Sequence, residues 1–520
     1  MELQYLNGLC QYLHLSTFFH PYFVSIFLLS LLVLIIHRIT SSSTSTLNLP
    51  PSPPRLPLIG NLHQLGTLPH RSLRALSQKY GPLIYLNLGQ APTLVVSSAE
   101  MVKEMTKNHD MALSNRPQST AAKILFYGCK DVAFSPYGEY WRQARKICVL
   151  ELLSLKRVQD FHSVREEEVE ALMNRIRKAC VNGGSCINLS KLILATFNNV
   201  VSRCAVGKSF MEEDGRSKIG ELTRKIMVQF VEFSVGDFFP SLSWIDVLRG
   251  FIGSLKETFR ACNLVFDQVI DEHKAALESD CGFSGMKTFV DILLRVQKDK
   301  QLDFELTQTD IKALLTDMIV GGTDTISTGL EWLMAELMRN PKIMKKTQAE
   351  VRRVGGRKKK IDMNDINQMD YLKCVVKENL RLHPSLPLLV PRETNSTINV
   401  GGYQIPAKTQ VFVNAWAIQR DPSLWDRPEE FIPERFENSC IDFKGQDFQF
   451  IPFGSGRRGC PGITFAVASI EYVLANLLFW FDWKLPGDGD GDELDMSEAY
   501  GLSVYKKIPL HVLPIPYSPN

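Results

Sequence analysis

Apolar positions run almost unbroken from Phe18 to Ile36, in STFFHPYFVSIFLLSLLVLIIHR, a length that just spans a bilayer core. His20 and Pro21 fall at its outer end, where polarity and a broken helix are tolerable. A serine/threonine stretch follows as a flexible spacer. Pro50, Pro51, Pro53, Pro54 and Pro57 then stiffen the chain into an extended arm. From about residue 68 to 380 helical spacing dominates, and the short alternating runs PLIYLNLG and PTLVVSS predict strands. TINVGGYQIPAKTQVFVN (397–414) predicts a further hairpin. LTQTDIKALLTDMIVGGTDTISTGLEWLMAELMRNP (306–341) predicts one helix of about 48 Å, opened by a capping box of Thr307 and Asp310 and ended by Asn340 and Pro341. ITFAVASIEYVLANLLFWF (463–481) predicts another helix, apolar nearly all round and therefore buried. No glycine- or proline-rich break divides the region. The expected architecture is mainly α with small β-sheets, as one large domain over 61–520 behind an anchor (1–38) and a spacer and hinge (39–60).

Charge orients the anchor. Only Glu2 is charged before the apolar run, whereas Arg38, Arg55, Arg71, Arg74 and Lys79 follow it. A cleaved signal peptide has a basic leading region, so a retained single-pass anchor with a cytosolic globule is expected. The 45% hydrophobic and 22% charged content describes an ordinary globular protein, and a net charge of +3 gives no reason to expect a nucleic-acid partner. Eleven cysteines without a C-x-x-C pair fit a reducing compartment, and no H-E-x-x-H points to zinc. The sequons at Asn188 and Asn395 are then chance matches. The basic run RRVGGRKKK (352–360) reads as a solvated loop between helices.

One glycine-rich stretch, PFGSGRRGCPG (452–462), carries chemistry under either of two readings. Gly454, Gly456 and Gly459 spell G-x-G-x-x-G, but a dinucleotide fold needs strands and crossovers that the remaining chain is too short to supply. A kinase loop needs V-A-I-K, H-R-D and D-F-G downstream, and none follows. The other reading centres on Cys460. Pro461 suits the first turn of a helix, which places Cys460 at a helix N-terminus where free N–H groups favour the thiolate. Arg457 and Arg458 add positive charge, and glycines at 454, 456, 459 and 462 let backbone approach a large flat group. An anionic sulfur beside such a plane is what haem ligation requires. The stretch resembles the haem-binding signature of the cytochrome P-450 family, F-x-x-G-x-R-x-C-x-G, met at Phe453, Gly456, Arg458, Cys460 and Gly462.

Further motifs fall in that family's order. Mid-way along the long helix, Gly321 and Gly322 each cost about 1 kcal/mol against alanine, and Asp324 and Thr325 are polar within an apolar stretch. A threonine here can simply bond back to the carbonyl four residues earlier. The resemblance instead implies a widened groove in which Asp324 and Thr325 pass protons during oxygen activation, with Ile326 where relatives often carry serine or threonine. Trp141 and Arg145 share a helix face in YWRQARKI, and the resemblance makes them haem-propionate partners together with Arg392 and Arg458. Glu378 and Arg381 in KENLRLHP, with Arg435 in FIPERF, resemble the E-x-x-R…R network that braces the core behind the thiolate.

The resemblance implies a membrane-anchored haem-thiolate monooxygenase using haem b (iron protoporphyrin IX). Its cysteine pushes electron density toward iron and so favours O–O cleavage. The resemblance implies electrons from NADPH through a cytochrome P-450 reductase, as no segment binds flavin or nicotinamide, with cytochrome b5 as a further partner. The hinge, anchor and cysteine loop most resemble microsomal plant enzymes of specialised metabolism, which implies the endoplasmic reticulum membrane. Ser52 stands where many of those have glycine. Candidate substrate-lining segments are Ala121 to Phe126, Ile319, Leu386 to Val390 and Tyr500 to Leu502, all apolar or aromatic. They imply a hydrophobic terpenoid, phenylpropanoid, aldoxime or alkaloid. A haem-thiolate isomerase or dehydratase that needs no reductase is the alternative reading, and a haem sensor without catalysis a third; the Asp324–Thr325 pair argues against both.

Overall fold

The computed structural model describes residues 21–40, 47–181, 185–209, 218–278, 287–299, 305–358, 360–488 and 491–518. The first part of the apolar N-terminal run, with Glu2 and His20, lies outside them. From Pro21 to Thr40 the run is helical (α1), and Ile26, Phe27, Leu28, Leu29 and Val33 are all exposed. The described side chains of this helix are thus left uncovered by the globule. The proline arm, in contrast, is docked. Pro50 and Pro53 are buried, and Tyr85 N–H donates to the Pro51 carbonyl at 2.9 Å.

Of the other helices, those that shape the site are Glu139–Lys146 (α2), Leu189–Val206 (α3), Lys218–Val231 (α4), Phe251–Glu278 (α5), Gln308–Arg339 (α6), Asp370–Leu382 (α7) and Ile463–Trp480 (α8). α6 starts where its caps predict. Asp310 N–H donates to the Thr307 hydroxyl at 3.2 Å and Thr307 N–H returns to the Asp310 carboxylate at 2.8 Å. Asn340 caps its end and Pro341 opens the next helix, Pro341–Gly355. That helix carries Arg352 and Arg353 in its last turn, so the basic run is half helix, and Arg352 pairs with Asp482 at 2.9 Å. α8 is long and apolar enough to cross a membrane but is mostly buried in protein, as its all-round apolar pattern requires. α6 and α8 meet where Gly329 lies against Ile470, and Asn379 of α7 donates to the Gly329 carbonyl at 2.9 Å.

The strands are Leu83–Leu88 (β1), Ala91–Val96 (β2), Ile187–Asn188 (β3), Arg392–Glu393 (β4), Ile398–Val400 (β5), Tyr403–Ile405 (β6), Gln410–Val413 (β7), Phe481–Lys484 (β8), Glu498–Ala499 (β9), Tyr505–Lys506 (β10) and His511–Pro516 (β11). The main sheet runs β1-β2-β7-β4, with β2 and β7 parallel and the other pairs antiparallel. The hairpin predicted over 397–414 is shorter than expected. β5 and β6 form it, whereas β7 leaves to pair with β2, because its alternating Val411 and Val413 find a buried face there. Pairing with β7 also fixes Arg392, whose Cα partner is Val411.

Candidate active site

The cysteine loop differs from its predicted geometry in one respect. α8 begins at Ile463 with Gly462 as N-cap, so Pro461 lies in the turn before the helix rather than in its first turn. Cys460 N–H donates to the Phe453 carbonyl at 2.9 Å, closing the loop, and Gly462 N–H points at Cys460 Sγ at 3.3 Å. Gly456 is held at φ 64°, and a Cβ there would fall 2.4 Å from Asp110 Oδ1; only glycine fits. The cation beside the sulfur is Arg145, whose guanidinium donates to the Gly459 carbonyl. Arg457 turns instead to Asp110, and Arg458 to backbone carbonyls. Burial raises the Cys460 thiol above its ordinary value, while Gly462 N–H and Arg145 pull it down. Cys460 Sγ would hold a metal cation here, whose charge would favour the thiolate. Cys460 lies deep in the protein, yet it is exposed, so it faces an interior space.

The middle of α6 opens on such a space as well. Nearly every position from Asp310 to Met338 is buried, but Gly321 is exposed and a Cβ there would meet nothing. Gly322 has a different role from the one expected. A Cβ on it would sit 3.2 Å from Val201 of α3, so it is a packing glycine and Gly321 alone borders the opening. Thr325 Oγ1 donates to the Gly321 carbonyl at 2.7 Å, the back-bond that a helical threonine makes locally. Its hydroxyl oxygen retains acceptor capacity on a side chain only half-buried. The Thr325 carbonyl is held by Ser385 at 2.9 Å. Burial raises the Asp324 carboxyl above its ordinary range, against the pull of the Ser503 hydroxyl and the Arg224 guanidinium. Ile326 is buried in the core and contributes no polar group.

Four guanidiniums cluster beside the loop. Arg392 donates to Asp110 at 3.2 Å and to the Ser455 carbonyl. Arg458 donates to the carbonyls of Ser114 (2.7 Å), Val132 (3.0 Å) and Ser135, and lies 4.3 Å over the Trp141 ring. Trp141 is buried, and its indole N–H, expected on a propionate, donates instead to the Val132 carbonyl at 3.0 Å. The pattern did not single out the fourth member, Arg116, a lone loop arginine in SNRPQ. It is buried and donates to the carbonyls of Ala133 (3.0 Å), Val390 and Pro391 (2.8 Å). Burial, then the charges of Arg458 and Arg392, push the Arg116 guanidinium well below its usual value. Burial and Arg392 bring Arg458 down to about 9. Among the described residues, no carboxylate forms an ion pair with Arg116, Arg145 or Arg458. Buried cations without counter-ions call for an anion, and a haem with two propionates fits that demand.

Behind the loop, Arg381 grips Glu378 with two bonds of 2.8 Å, and both side chains are fully buried. Arg435 Nε reaches Glu378 at 3.0 Å and Ile432 N–H reaches it at 2.8 Å. The remaining Arg381 donors go to the carbonyls of Gln419, Pro428 and Glu430. Above α6, segments far apart in sequence form one apolar cluster that includes Ala121, Phe126, Phe134, Met227 and Val320, with Val390 and Leu502 packed against it.

Comparison with known proteins decides the family. The family model described as Cytochrome P-450 matches residues 50–511. The chain belongs to the cytochrome P-450 family. It is 56% identical over 500 residues to a phenylacetaldehyde oxime monooxygenase of Prunus mume, covering 95% of this chain and 94% of that one. It is 47% identical over 468 residues to a desmethylyatein synthase of Sinopodophyllum hexandrum, covering 90% and 94%. A solved zebra fish cytochrome P-450 with progesterone superposes with a TM-score of 0.75 at 25% identity, over 86% of this chain and 99% of that one. This cytochrome P-450 is therefore an oxidoreductase that incorporates oxygen, with a haem-iron cofactor and a need for a redox partner such as a reductase.

Proposed function

We propose that this cytochrome P-450 is a membrane-anchored, single-pass monooxygenase of the endoplasmic reticulum. It holds haem b through Cys460 and acts on a hydrophobic plant specialised metabolite of terpenoid, phenylpropanoid, aldoxime or alkaloid type. One observation carries the reading: a deep cysteine sulfur with accessible surface, in a loop beside two buried guanidiniums, Arg116 and Arg458, that form no ion pair with a carboxylate among the described residues. Arg116, Arg145, Arg392 and Arg458 receive the propionates, with Trp141 stacked on Arg458 to hold its plane. Phe453, Gly456 and Gly462 shape the loop that presents the sulfur. Haem iron held by a thiolate supplies the dioxygen activation that lets one oxygen atom enter an unactivated C–H bond.

The chain's own residues do the remainder. Asp324, kept by burial closer to protonation at working pH, gives and regains a proton, and Thr325 Oγ1 passes it along the opening beside Gly321. Glu378, Arg381 and Arg435 lock the segment behind the loop. The apolar cluster of Phe126, Val320, Val390 and Leu502 excludes water and orients the substrate. Electrons come from NADPH through a cytochrome P-450 reductase, with cytochrome b5 as a second donor. The likeness to a phenylacetaldehyde oxime monooxygenase supports a small apolar or aromatic substrate.

Two measurements test this. Purified protein reduced under carbon monoxide is expected to show the thiolate-shifted absorption, and Cys460→Ala to abolish it; retention of the band in the variant overturns the assignment. A membrane preparation with reductase and NADPH is expected to oxygenate a member of a metabolite panel. Turnover that needs neither reductase nor NADPH identifies an isomerase or dehydratase instead.

A further inference from the structure

The turn Asp131–Ser135 faces two sets of partners. Its carbonyls point to the arginine cluster. Val132 O accepts from Trp141 Nε1 and Arg458 Nη1, both at 3.0 Å, Ala133 O accepts from Arg116 Nε at 3.0 Å, and Ser135 O accepts from Arg458. Its N–H groups are taken by carboxyls. Val132 N–H donates to Asp317 Oδ2, Ala133 N–H also reaches Asp317, and Phe134 N–H donates to Asp131 Oδ2 at 2.9 Å. Asp317 sits on α6, about one turn before Gly321. The backbone between these carboxyls is thus the same backbone that aims Trp141, Arg116 and Arg458.

The two carboxyl groups lie against each other, and Asp317 is half-buried. Asp131 is fully buried, and its Oδ1 has no N–H or other hydroxyl partner, so the donor it requires is the facing acid group in its protonated form. Adjacent carboxylates with no cation between them do not both ionise; one proton shared across the pair satisfies both. Burial, then the facing charge of Asp317, drives Asp131 well above its ordinary range, and burial pushes Asp317 up to about 7. The other titratable or charged groups around the pair are Arg116, Arg458, Tyr140 from α2, Cys129, and Cys148 from the π-helical turn Ile147–Leu152. Burial opposes ionisation of Asp317, while the N–H groups of Val132 and Ala133, the hydrogen bond with Asp131 and the charge of Arg458 favour it; for Asp131, burial and the facing charge of Asp317 oppose it.

We propose that Asp131 and Asp317 are positioning residues for haem binding, acting as a proton-sharing clamp that holds the 131–135 turn and through it the propionate-binding side chains. This rests on the haem-thiolate reading above. The sign of the pH effect follows. A carboxyl raised above its unfolded value favours the folded state most at low pH. That contribution is lost as pH climbs from the ordinary range, about 4, through the raised value. Above it, paired negative charges spring the clamp.

The test is haem transfer from the purified holoenzyme to excess apomyoglobin at pH 6 and pH 9. Wild type is expected to release haem about tenfold faster at the higher pH. Asp317→Ala, which removes the acceptor for Val132 N–H, is expected to lose most of its haem at both. Asp317→Asn keeps an acceptor for that N–H and a donor for Asp131 without a titrating proton, so it is expected to retain haem with a flat pH profile. Asp131→Asn is expected to behave the same way, and it decides the matter if the alanine variant does not fold. A wild type without pH dependence, or asparagine variants that keep the wild-type profile, overturns the clamp. Wild type lacking the thiolate-shifted band refutes the haem-thiolate reading; a normal band with Asp317→Ala holding haem as tightly as wild type refutes the clamp alone.

Discussion

Gly321 and Gly322 are neighbours on one helix, and the space around them separates their roles. A methyl group on Gly321 enters open space, so Gly321→Ala gains the helix propensity that glycine forgoes, about 1 kcal/mol, at no packing cost. The same change at Gly322 gains as much but forces Val201 of α3 to yield from 3.2 Å, and overpacking of a tight core costs about 1–3 kcal/mol. Gly321→Ala is therefore expected to raise the thermal midpoint of the purified protein while slowing oxygenation, because its methyl group narrows the opening beside Thr325. Gly322→Ala is expected to lower the midpoint. Shifts of the same sign in both variants contradict this division. The sequence shows two glycines in a costly place; it does not show which faces α3, since that depends on where α3 crosses.

At the scale of elements, what was legible was local. The capping box at Thr307, the stop at Asn340–Pro341 and the buried character of α8 each depend on residues a few positions apart, and each is found. What was not legible was pairing at a distance. β7 abandons the predicted hairpin for β2, and Pro461 stays outside α8 because the turn from Cys460 to Gly462 brings an N–H onto the sulfur. Arg116 and Asp110 carried no periodic signal, and only the folded loop shows them beside Arg392 and Gly456. The pairing of α7 with the 426–435 segment lies between these cases, because the i, i+3 spacing gives Glu378 and Arg381 but not their isolation from water. That isolation sets the magnitude. Glu378→Gln leaves the fully buried Arg381 without a carboxylate and removes the partner of the half-buried Arg435, a change that costs about 3–5 kcal/mol. The expected result is expressed protein that fails to retain haem, read as the ratio of Soret to protein absorbance; a normal ratio shows that the network is dispensable.

At the scale of the whole molecule, the question is where the proposed anchor ends and the globule begins. The apolar side chains of α1 from Val24 to Val33 are exposed, so removing that stretch takes none of their packing from the core. The proline arm is different, because the sheet depends on it. Asn61 is fully buried, its N–H donates to the Asn87 carbonyl at 2.7 Å, its Oδ1 accepts from Asn87 N–H at 2.9 Å, and its Nδ2 reaches the Pro53 carbonyl at 3.3 Å. Together with the Tyr85–Pro51 bond, these contacts stitch residues 50–61 onto β1. Each buried backbone group left unpaired costs about 1–3 kcal/mol. Deleting residues 1–38 is therefore expected to free the protein from membranes in a sedimentation assay while leaving the thiolate-shifted band and thermal midpoint unchanged. Deleting residues 1–61 is expected to lower that midpoint and the haem content, because β1 loses the partners of Tyr85 and Asn87. If both truncations are equally stable, the arm is only a tether; if the shorter one stays with the membrane, a second surface on the globule holds it there.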